Sequence, residues 1–239
     1  MPSLLESAAT LRDAVDRLTF ALPVAYTYNP LRHAWAPHAA YLTRYGSAPK
    51  RVVFLGMNPG PYGMTQTGVP FGEVAAVRDW LRIQEPVDMP FPEHPKRPVT
   101  GFACTRSEVS GKRLWGLFAA RFGSPEAFFA EHFVLNYCPL VWMSESGANL
   151  TPDKLTAAER AAVDAPCRAH LRAVLEALQP THLVGVGAYA AQKFAEVTTP
   201  SDPWKITQVL HPSPASPAAN KDWAGDVTRT LVKAGIWPA

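Results

Sequence analysis

Cysteine is scarce in this 239-residue chain, and its spacing excludes several kinds of site. Cys104, Cys138 and Cys167 lie far apart, and the sequence has no C-x-x-C pair. This pattern argues against a zinc ribbon, an iron–sulfur cluster and a disulfide framework. The odd number of cysteines favours a reducing compartment.

Targeting segments and long apolar runs are also lacking. Residues 1–6 do not combine a basic segment with a following apolar one, so we expect no signal peptide. No run reaches the roughly 18 apolar residues of a membrane-spanning helix, and we therefore expect no association with a membrane. The net charge of +3 is too small to indicate a polyanionic partner by itself, although clustered cations would permit one.

Proline is abundant, and its placement predicts stiff loops on an α/β framework. The chain has 24 prolines, about twice the average usage of about 5%, and they fall mostly between periodic segments. Residues 26–37, which are aromatic and interrupted by proline, are expected to form a packed loop. A composition of 47% apolar and 18% charged residues is typical of a folded chain. We expect a single domain over residues 1–239, with residues 1–50 forming a helix and loop that pack on it.

Apolar runs predict four strands, separated by segments with helical periodicity. Because strands and helices alternate, we expect an α/β fold with a central four-stranded parallel sheet flanked by helices. The predicted strands are residues 51–55, 133–137, 181–187 and 205–210. The predicted helices are residues 3–20, 73–81, 110–121, 125–132, 151–178, 188–197 and 222–234, with Ser3 and Glu6 as a capping box on the first and Thr151 as the cap of the fifth.

A loop rich in glycine and proline, residues 56–64, directly follows the first predicted strand. Glycine allows the backbone to approach a ligand closely, and proline restricts the remaining turns. Asn58 is the polar side chain of this loop, and it lies just past the carboxyl end of the strand. In open α/β sheets that edge is where ligands bind.

Polar side chains follow two further predicted strands at the same relative position. Asn136 stands at the end of the second strand, and His211 follows the fourth. If the sheet is parallel, Asn58, Asn136 and His211 share one edge and can meet in one crevice. Two amides and an imidazole, without a nucleophile or a pair of carboxylates, can position a water molecule, bind a planar ligand and stabilise a leaving anion.

Two loops together resemble the single-strand-selective monofunctional uracil-DNA glycosylase family, a branch of the uracil-DNA glycosylase superfamily. They are Gly56-Met57-Asn58-Pro59-Gly60-Pro61, continuing to Glu73, and His211-Pro212-Ser213-Pro214, followed by Asn220-Lys221. Residues 94–98, 107–111 and 149–152 are also similar to it. The resemblance covers roughly residues 50–238, and it implies the uracil-DNA glycosylase fold.

The resemblance implies roles for the matching residues. Asn58 would position the hydrolytic water and His211 would donate to O2 of uracil, while Phe71 would stack on the flipped base. Asn136 would pair with O4 and N3–H. Met57, Gly60 and Gly63 would line the pocket. The segment entering the DNA would comprise Pro212, Ser213, Pro214, Ala215, Ser216, Pro217, Asn220 and Lys221.

The same resemblance predicts hydrolysis of the N-glycosidic bond without a metal or cofactor. An amide such as that of Asn58 is a poor base, so departure of uracil should precede attack by water. Neither residues 56–73 nor residues 211–214 include a lysine for a Schiff-base lyase step, so an abasic site should remain. Gly60 leaves space beside C5, which favours acceptance of 5-hydroxymethyluracil. Many relatives have a basic residue near Ala215, and its absence here puts strong duplex penetration in doubt.

The expected partner is uracil-containing DNA, single-stranded or duplex, and the expected state is a monomer. The expected location is the cytoplasm in a bacterium and the nucleus in a eukaryote. Two alternatives stay open. Gly185-x-Gly187-x-x-Ala190 resembles a dinucleotide fingerprint, although close helix–strand packing is the simpler explanation. A protein that binds DNA lesions without catalysis is the other alternative.

Overall fold

The computed structural model describes residues 3–47 and 49–238. The centre of the molecule is a four-stranded parallel sheet. The strands are β1 (Tyr26–Tyr28), β2 (Val52–Gly56), β3 (His132–Asn136), β4 (Val141–Met143), β5 (Asn149–Leu150), β6 (His182–Val186) and β7 (Lys205–Val209). The helices are α1 (Leu4–Val15), α2 (Pro30–His33), α3 (Trp35–Tyr45), α4 (Met64–Thr67), α5 (Val109–Phe122), α6 (Pro125–Phe129), α7 (Ala157–Leu178), α8 (Ala188–Val197) and α9 (Ala219–Lys233).

The parallel sheet has the strand order β3-β2-β6-β7, which confirms the predicted α/β class and four-stranded architecture. All five residues of β2 are buried, as expected for a central strand covered on both faces. Gly56 at the end of β2 is opposite Asn136 at the end of β3. Val186 of β6 is opposite Val209 of β7. The carboxyl ends of the four strands therefore lie along one edge.

Buried apolar side chains from Ala8 in α1 to Trp237 near the carboxyl end form one cluster. Residues 3–47 contribute to it, and Ser7 Oγ lies 2.8 Å from Nδ1 of His170 in α7. The single-domain assignment stays a prediction. Its terminal residues 1, 2 and 239, together with residue 48, lie outside the described residues.

The first helix begins where the sequence predicts but ends earlier. The Ser3–Glu6 capping box is present, but α1 ends at Val15 rather than at residue 20. The prediction of a packed loop over residues 26–37 was wrong, because β1, α2 and the start of α3 occupy it. β1 pairs with β4, and β4 pairs with β5, in a small antiparallel sheet that the sequence did not indicate.

Other helix boundaries also require correction. The helix predicted over residues 125–132 ends at Phe129, because His132 begins β3. Residues 73–81 do not form an α-helix, because the regular part is a short π-helical segment, Ala76–Trp80. Thr151 does not cap the long helix. A 3-10 turn over Pro152–Lys154 comes first, and α7 then begins at Ala157, with Thr156 and Glu159 as its capping box. Within residues 3–47 and 49–238, no helix combines the length and apolarity needed to cross a lipid bilayer.

Candidate active site

A cleft of about 390 Å³ opens at the carboxyl edge of the parallel sheet. This volume lies within the range of about 300–1,000 Å³ that is usual for small-molecule sites. The cleft is built by the segments that follow β2 and β7, by the last residue of β3 and by the residues at the start of α5. All the residues predicted to bind or react with the base line it, namely Met57, Asn58, Gly60, Gly63, Phe71, Asn136 and His211.

The amide of Asn58 is held in one orientation by the protein. Its Nδ2 donates to the carbonyl oxygen of Leu140 at 3.2 Å. Its Oδ1 is buried and accepts no hydrogen bond from the described residues. A buried acceptor without a partner is rare in folded proteins. The Asn58 side chain can therefore accept a hydrogen bond from a molecule that enters the cleft.

Gly56 allows the Phe71 ring and the Asn136 amide to meet above the end of β2. A Cβ built on Gly56 would lie 2.5 Å from Cε2 of Phe71 and would also overlap Oδ1 of Asn136. The Asn136 Nδ2 donates to Sδ of Met64 at 3.5 Å. Because a thioether is a weak acceptor, the amide keeps capacity to pair with a ligand.

Phe71 is held in a conformation that is unusual for a residue with a side chain. Its φ of 54° lies in the left-handed region, and its side chain is buried. The start of α5 packs against this loop, since a Cβ on Gly111 would overlap the Phe71 carbonyl. Nε1 of Trp115 donates to the carbonyl of Pro70 at 3.2 Å. These contacts from α5 hold the backbone at Pro70 and Phe71, from which the aromatic ring lines the cleft.

His211 lies across the cleft from Phe71, with 6.3 Å between the ring centroids. The backbone N–H of Ser213 donates to its Nδ1 at 3.1 Å. Burial lowers the pKa of His211. Because Nδ1 accepts the N–H of Ser213, the ring proton of the neutral imidazole lies on Nε2, which leaves Nε2–H as a hydrogen-bond donor. Gly187, with a φ of 92°, makes room for it, because a Cβ there would lie 3.2 Å from Cβ of His211.

Glu108 also lines the cleft, and the sequence analysis did not assign it a role. Its Oε2 accepts the N–H of Gly111 at 2.6 Å, which caps α5. Burial raises the pKa of this half-buried carboxyl to about 7, and the nearby Glu73 acts in the same direction. An acidic residue directly before a helical pattern is the signal that could have identified it as a cap.

Comparison with known proteins assigns the chain to a family. A model of the Uracil DNA glycosylase superfamily matches residues 43–231. The single-strand selective monofunctional uracil DNA glycosylase of Bos taurus is 46% identical over 235 residues, which cover 98% of this chain and 86% of that protein. The protein of the same name from Mus musculus is also 46% identical, with 98% and 84% covered. This chain belongs to that family.

A solved structure agrees with this fold. The crystal structure of wild-type SMUG2 from Pedobacter heparinus is similar over 95% of this chain and 97% of its own, with a TM-score of 0.66 and 21% identity. At that identity the likeness concerns the fold alone. The predicted membership of the single-strand-selective uracil-DNA glycosylase family is confirmed by the sequence relatives.

In this member of the uracil-DNA glycosylase family, the segment predicted to enter DNA follows His211 as an exposed loop. Ser213 and Pro214 reach the cleft. Pro214, Ala215, Pro217, Asn220 and Lys221 are exposed, Ser216 is half-buried and Pro212 is buried. Contact of these residues with DNA stays a prediction.

The glycines of the candidate dinucleotide fingerprint have roles inside the uracil-DNA glycosylase fold. A Cβ on Gly185 would lie 2.5 Å from Cα of Ala191, so this glycine lets α8 pack closely against β6. Gly187 makes room for His211. Both glycines are used for contacts within the protein, which favours the packing interpretation over a nucleotide site.

Proposed function

We propose that this protein is a monofunctional uracil-DNA glycosylase, which hydrolyses the N-glycosidic bond of uracil in DNA and leaves an intact abasic site. The observation that carries the proposal is the convergence of Asn58, Phe71, Asn136 and His211 on one cleft, in a chain that belongs to this family. The proposal depends on all four residues together. Each of them taken alone has an ordinary structural explanation.

Substrate binding begins with removal of the uracil from the base stack. Flipping a nucleotide costs a few kcal/mol, and least for single-stranded or mispaired DNA. The Phe71 ring offsets part of this cost, since base–aromatic stacking contributes about 1–3 kcal/mol. The Asn136 amide donates to O4 and accepts from N3–H. Cytosine presents the reverse pattern, so an amide held in one orientation discriminates against it.

Bond cleavage moves the electron pair of the C1′–N1 bond onto the leaving uracil. Negative charge develops in part at O2, where Nε2–H of His211 donates a hydrogen bond. A preorganised donor of this kind is worth about 2.7–4 kcal/mol. A neutral imidazole can fill this role, because its Nδ1 accepts the N–H of Ser213 and its Nε2–H stays available as a donor.

Water completes the reaction by attacking the electron-deficient sugar. The buried Oδ1 of Asn58 accepts a hydrogen bond from this water and directs its oxygen towards C1′. An amide does not readily take up the proton, so attack follows departure of the base. Hydroxide is added to C1′, and the proton neutralises the uracil anion. No lysine is among the described residues that line the cleft, and we therefore assign no lyase step to it.

Gly60 favours acceptance of uracil with a polar group at C5, such as 5-hydroxymethyluracil. A Cβ on Gly60 would meet no described atom within 4 Å, so the cleft has space at this position. We assign DNA, single-stranded or duplex, as the partner, and a monomer as the active state. The site of action would be the cytoplasm in a bacterium or the nucleus in a eukaryote.

Base release is the direct test of this function. Labelled oligonucleotides containing one uracil, either single-stranded or paired with guanine, are incubated with the protein in EDTA and then treated with alkali. We expect strand scission at the uracil after alkali only, and none with a thymine control. Absence of scission with every uracil substrate would contradict the proposal, and scission without alkali would contradict the monofunctional assignment.

A further inference from the structure

Helix α5 connects the two halves of the site. Its first turns hold the Phe71 loop through Gly111 and Trp115, as described above. Arg113 lies between these residues in the chain and makes its contacts on the other side, with the loop that follows His211. One helix therefore contacts both the backbone that carries the Phe71 ring and the segment next to the imidazole.

The Arg113 guanidinium bridges the two ends of this loop. It donates through Nη1 to the carbonyl of Pro212 at 2.9 Å and through Nη2 to Oδ1 of Asn220 at 2.9 Å. Asn220 in turn donates through Nδ2 to the carbonyl of Pro214 at 2.8 Å. Both ends of the Asn220 amide are thus occupied within the protein, and its first role is to connect Arg113 with the exposed turn.

The positive charge of Arg113 is not neutralised by a nearby carboxylate from the described part of the chain. Among the described residues it has no carboxylate within salt-bridge distance. The tip of the loop carries Ala215, which has no charge, between the exposed residues Pro214 and Pro217. Arg113 therefore supplies a half-buried positive charge directly beneath an uncharged loop.

We propose that Arg113 is a positioning residue that keeps residues 212–220 in the shape required to enter a DNA duplex. This inference rests on the proposed glycosylase function. In a duplex, the loop must occupy the space that the flipped base leaves, and a loop that is already ordered loses less conformational entropy on doing so. In single-stranded DNA there is no such space to fill. Loss of the bridge should therefore affect duplex substrates much more than single-stranded ones.

The test compares Arg113→Met with the adjacent control Lys112→Met. Methionine keeps an apolar stem but removes both donors of Arg113. Lys112 is exposed on the same turn and makes no side-chain hydrogen bond within the described residues, so its replacement removes one charge and no bridge. The kcat/KM for uracil release is measured at one salt concentration on single-stranded and duplex DNA of the same sequence.

We expect Arg113→Met to lower kcat/KM on duplex DNA by about tenfold or more, the effect of losing hydrogen bonds to a charged group. On single-stranded DNA the loss should stay below about threefold, the size of an ordinary surface substitution. Lys112→Met should change both substrates by the same factor. Arg113→Lys, which keeps the charge and can keep one donor, should restore part of the duplex activity. An equal loss on both substrates after Arg113→Met would overturn the proposal.

Asn220→Ala tests the bridge from its other end and remains informative if Arg113→Met fails to fold. It should reproduce the preferential loss on duplex DNA, and the double variant should be no worse than Arg113→Met alone. Additive losses would also overturn the proposal. The two hypotheses fail differently: an unmodified protein that releases no uracil from single-stranded DNA contradicts the glycosylase function, whereas an unchanged duplex-to-single-strand ratio in the variants contradicts only the role of Arg113.

Discussion

The backbone N–H of Ser213 donates to Nδ1 of His211 at 3.1 Å. Ser213 stands between Pro212 and Pro214, and proline has no N–H to donate. Ser213 is therefore the one residue among the three that follow the imidazole with an amide proton to donate. This hydrogen bond places the remaining proton of His211 on Nε2, which is the nitrogen that must donate in the proposed reaction.

His211→Ala should lower the single-turnover rate of uracil release by about 10²–10³-fold, since one donor to a developing anion is lost. The Kd for a uracil oligonucleotide should change by less than about threefold, because the ground-state base carries little charge at O2. His182→Gln is the control, since His182 begins β6 at the opposite edge of the sheet. Equal losses in rate and affinity for His211→Ala would show that His211 only binds the substrate.

Gly56 and Gly60, two glycines of the same loop, should respond differently to an added methyl group. In Gly56→Ala the new Cβ would collide with Phe71 and Asn136, so release of every base should fall sharply. In Gly60→Ala it would meet open space. We expect Gly60→Ala to retain uracil release and to lose activity selectively on 5-hydroxymethyluracil. Kinetics on both bases, with thermal melting to monitor folding, check this. An equal loss of activity on both bases in Gly60→Ala would show that Gly60 does not lie beside C5.

Asn136→Asp should weaken uracil recognition, because a carboxylate only accepts hydrogen bonds and O4 of uracil would face a negative charge. A loss of about 100-fold in kcat/KM is expected, the order of an unsatisfied pairing with a charged group. Any residual activity should shift towards cytosine, whose exocyclic amine can donate. Asn136→Ala separates this shift from simple loss of the amide. Unchanged uracil release by Asn136→Asp would place Asn136 outside the base-recognition site.

Three histidines with lowered pKa values should make the fold sensitive to mild acid. Burial lowers the pKa of His38, His132 and His170 to about 4, whereas an unfolded histidine has a pKa of about 6.5. As the pH falls from 6.5 towards 4, the unfolded chain binds more protons than the folded one, and the free energy of unfolding decreases. Each such proton contributes about 1.4 kcal/mol per pH unit. Glu108, with its raised pKa, acts in the opposite direction between about pH 7 and pH 4.5.

Urea unfolding at pH 7, 6 and 5 measures this slope. Nδ1 of His38 lies 2.8 Å from the carbonyl of Gly68, and the side chain of His38→Asn can donate to the same acceptor. This variant should reduce the pH slope by about one proton. An unchanged slope would show that His38 does not contribute to the acid sensitivity.

The strands and the residues that follow them could be predicted because their signals are local. The apolar runs before Asn58 and at Asn136 are long enough to indicate buried strands, and parallel pairing then places their ends at one edge. The strands of the small antiparallel sheet have only two or three residues each, too few to show a periodicity. The boundary of α7 was missed because both Thr151 and Thr156 look like helix caps, and only the latter begins the long helix.

The sequence by itself determined the family, the parallel sheet and the residue types of the site, since these depend on short motifs and on the order of apolar segments. Tertiary structure alone decided that Nδ2 of Asn58 bonds within the protein and that Oδ1 has no partner among the described residues, because Leu140 lies 82 residues away. It also decided that Arg113 holds the loop after His211, through a contact across 99 residues. Such contacts exist only after the chain has packed, because no local pattern specifies which distant carbonyl a donor will meet.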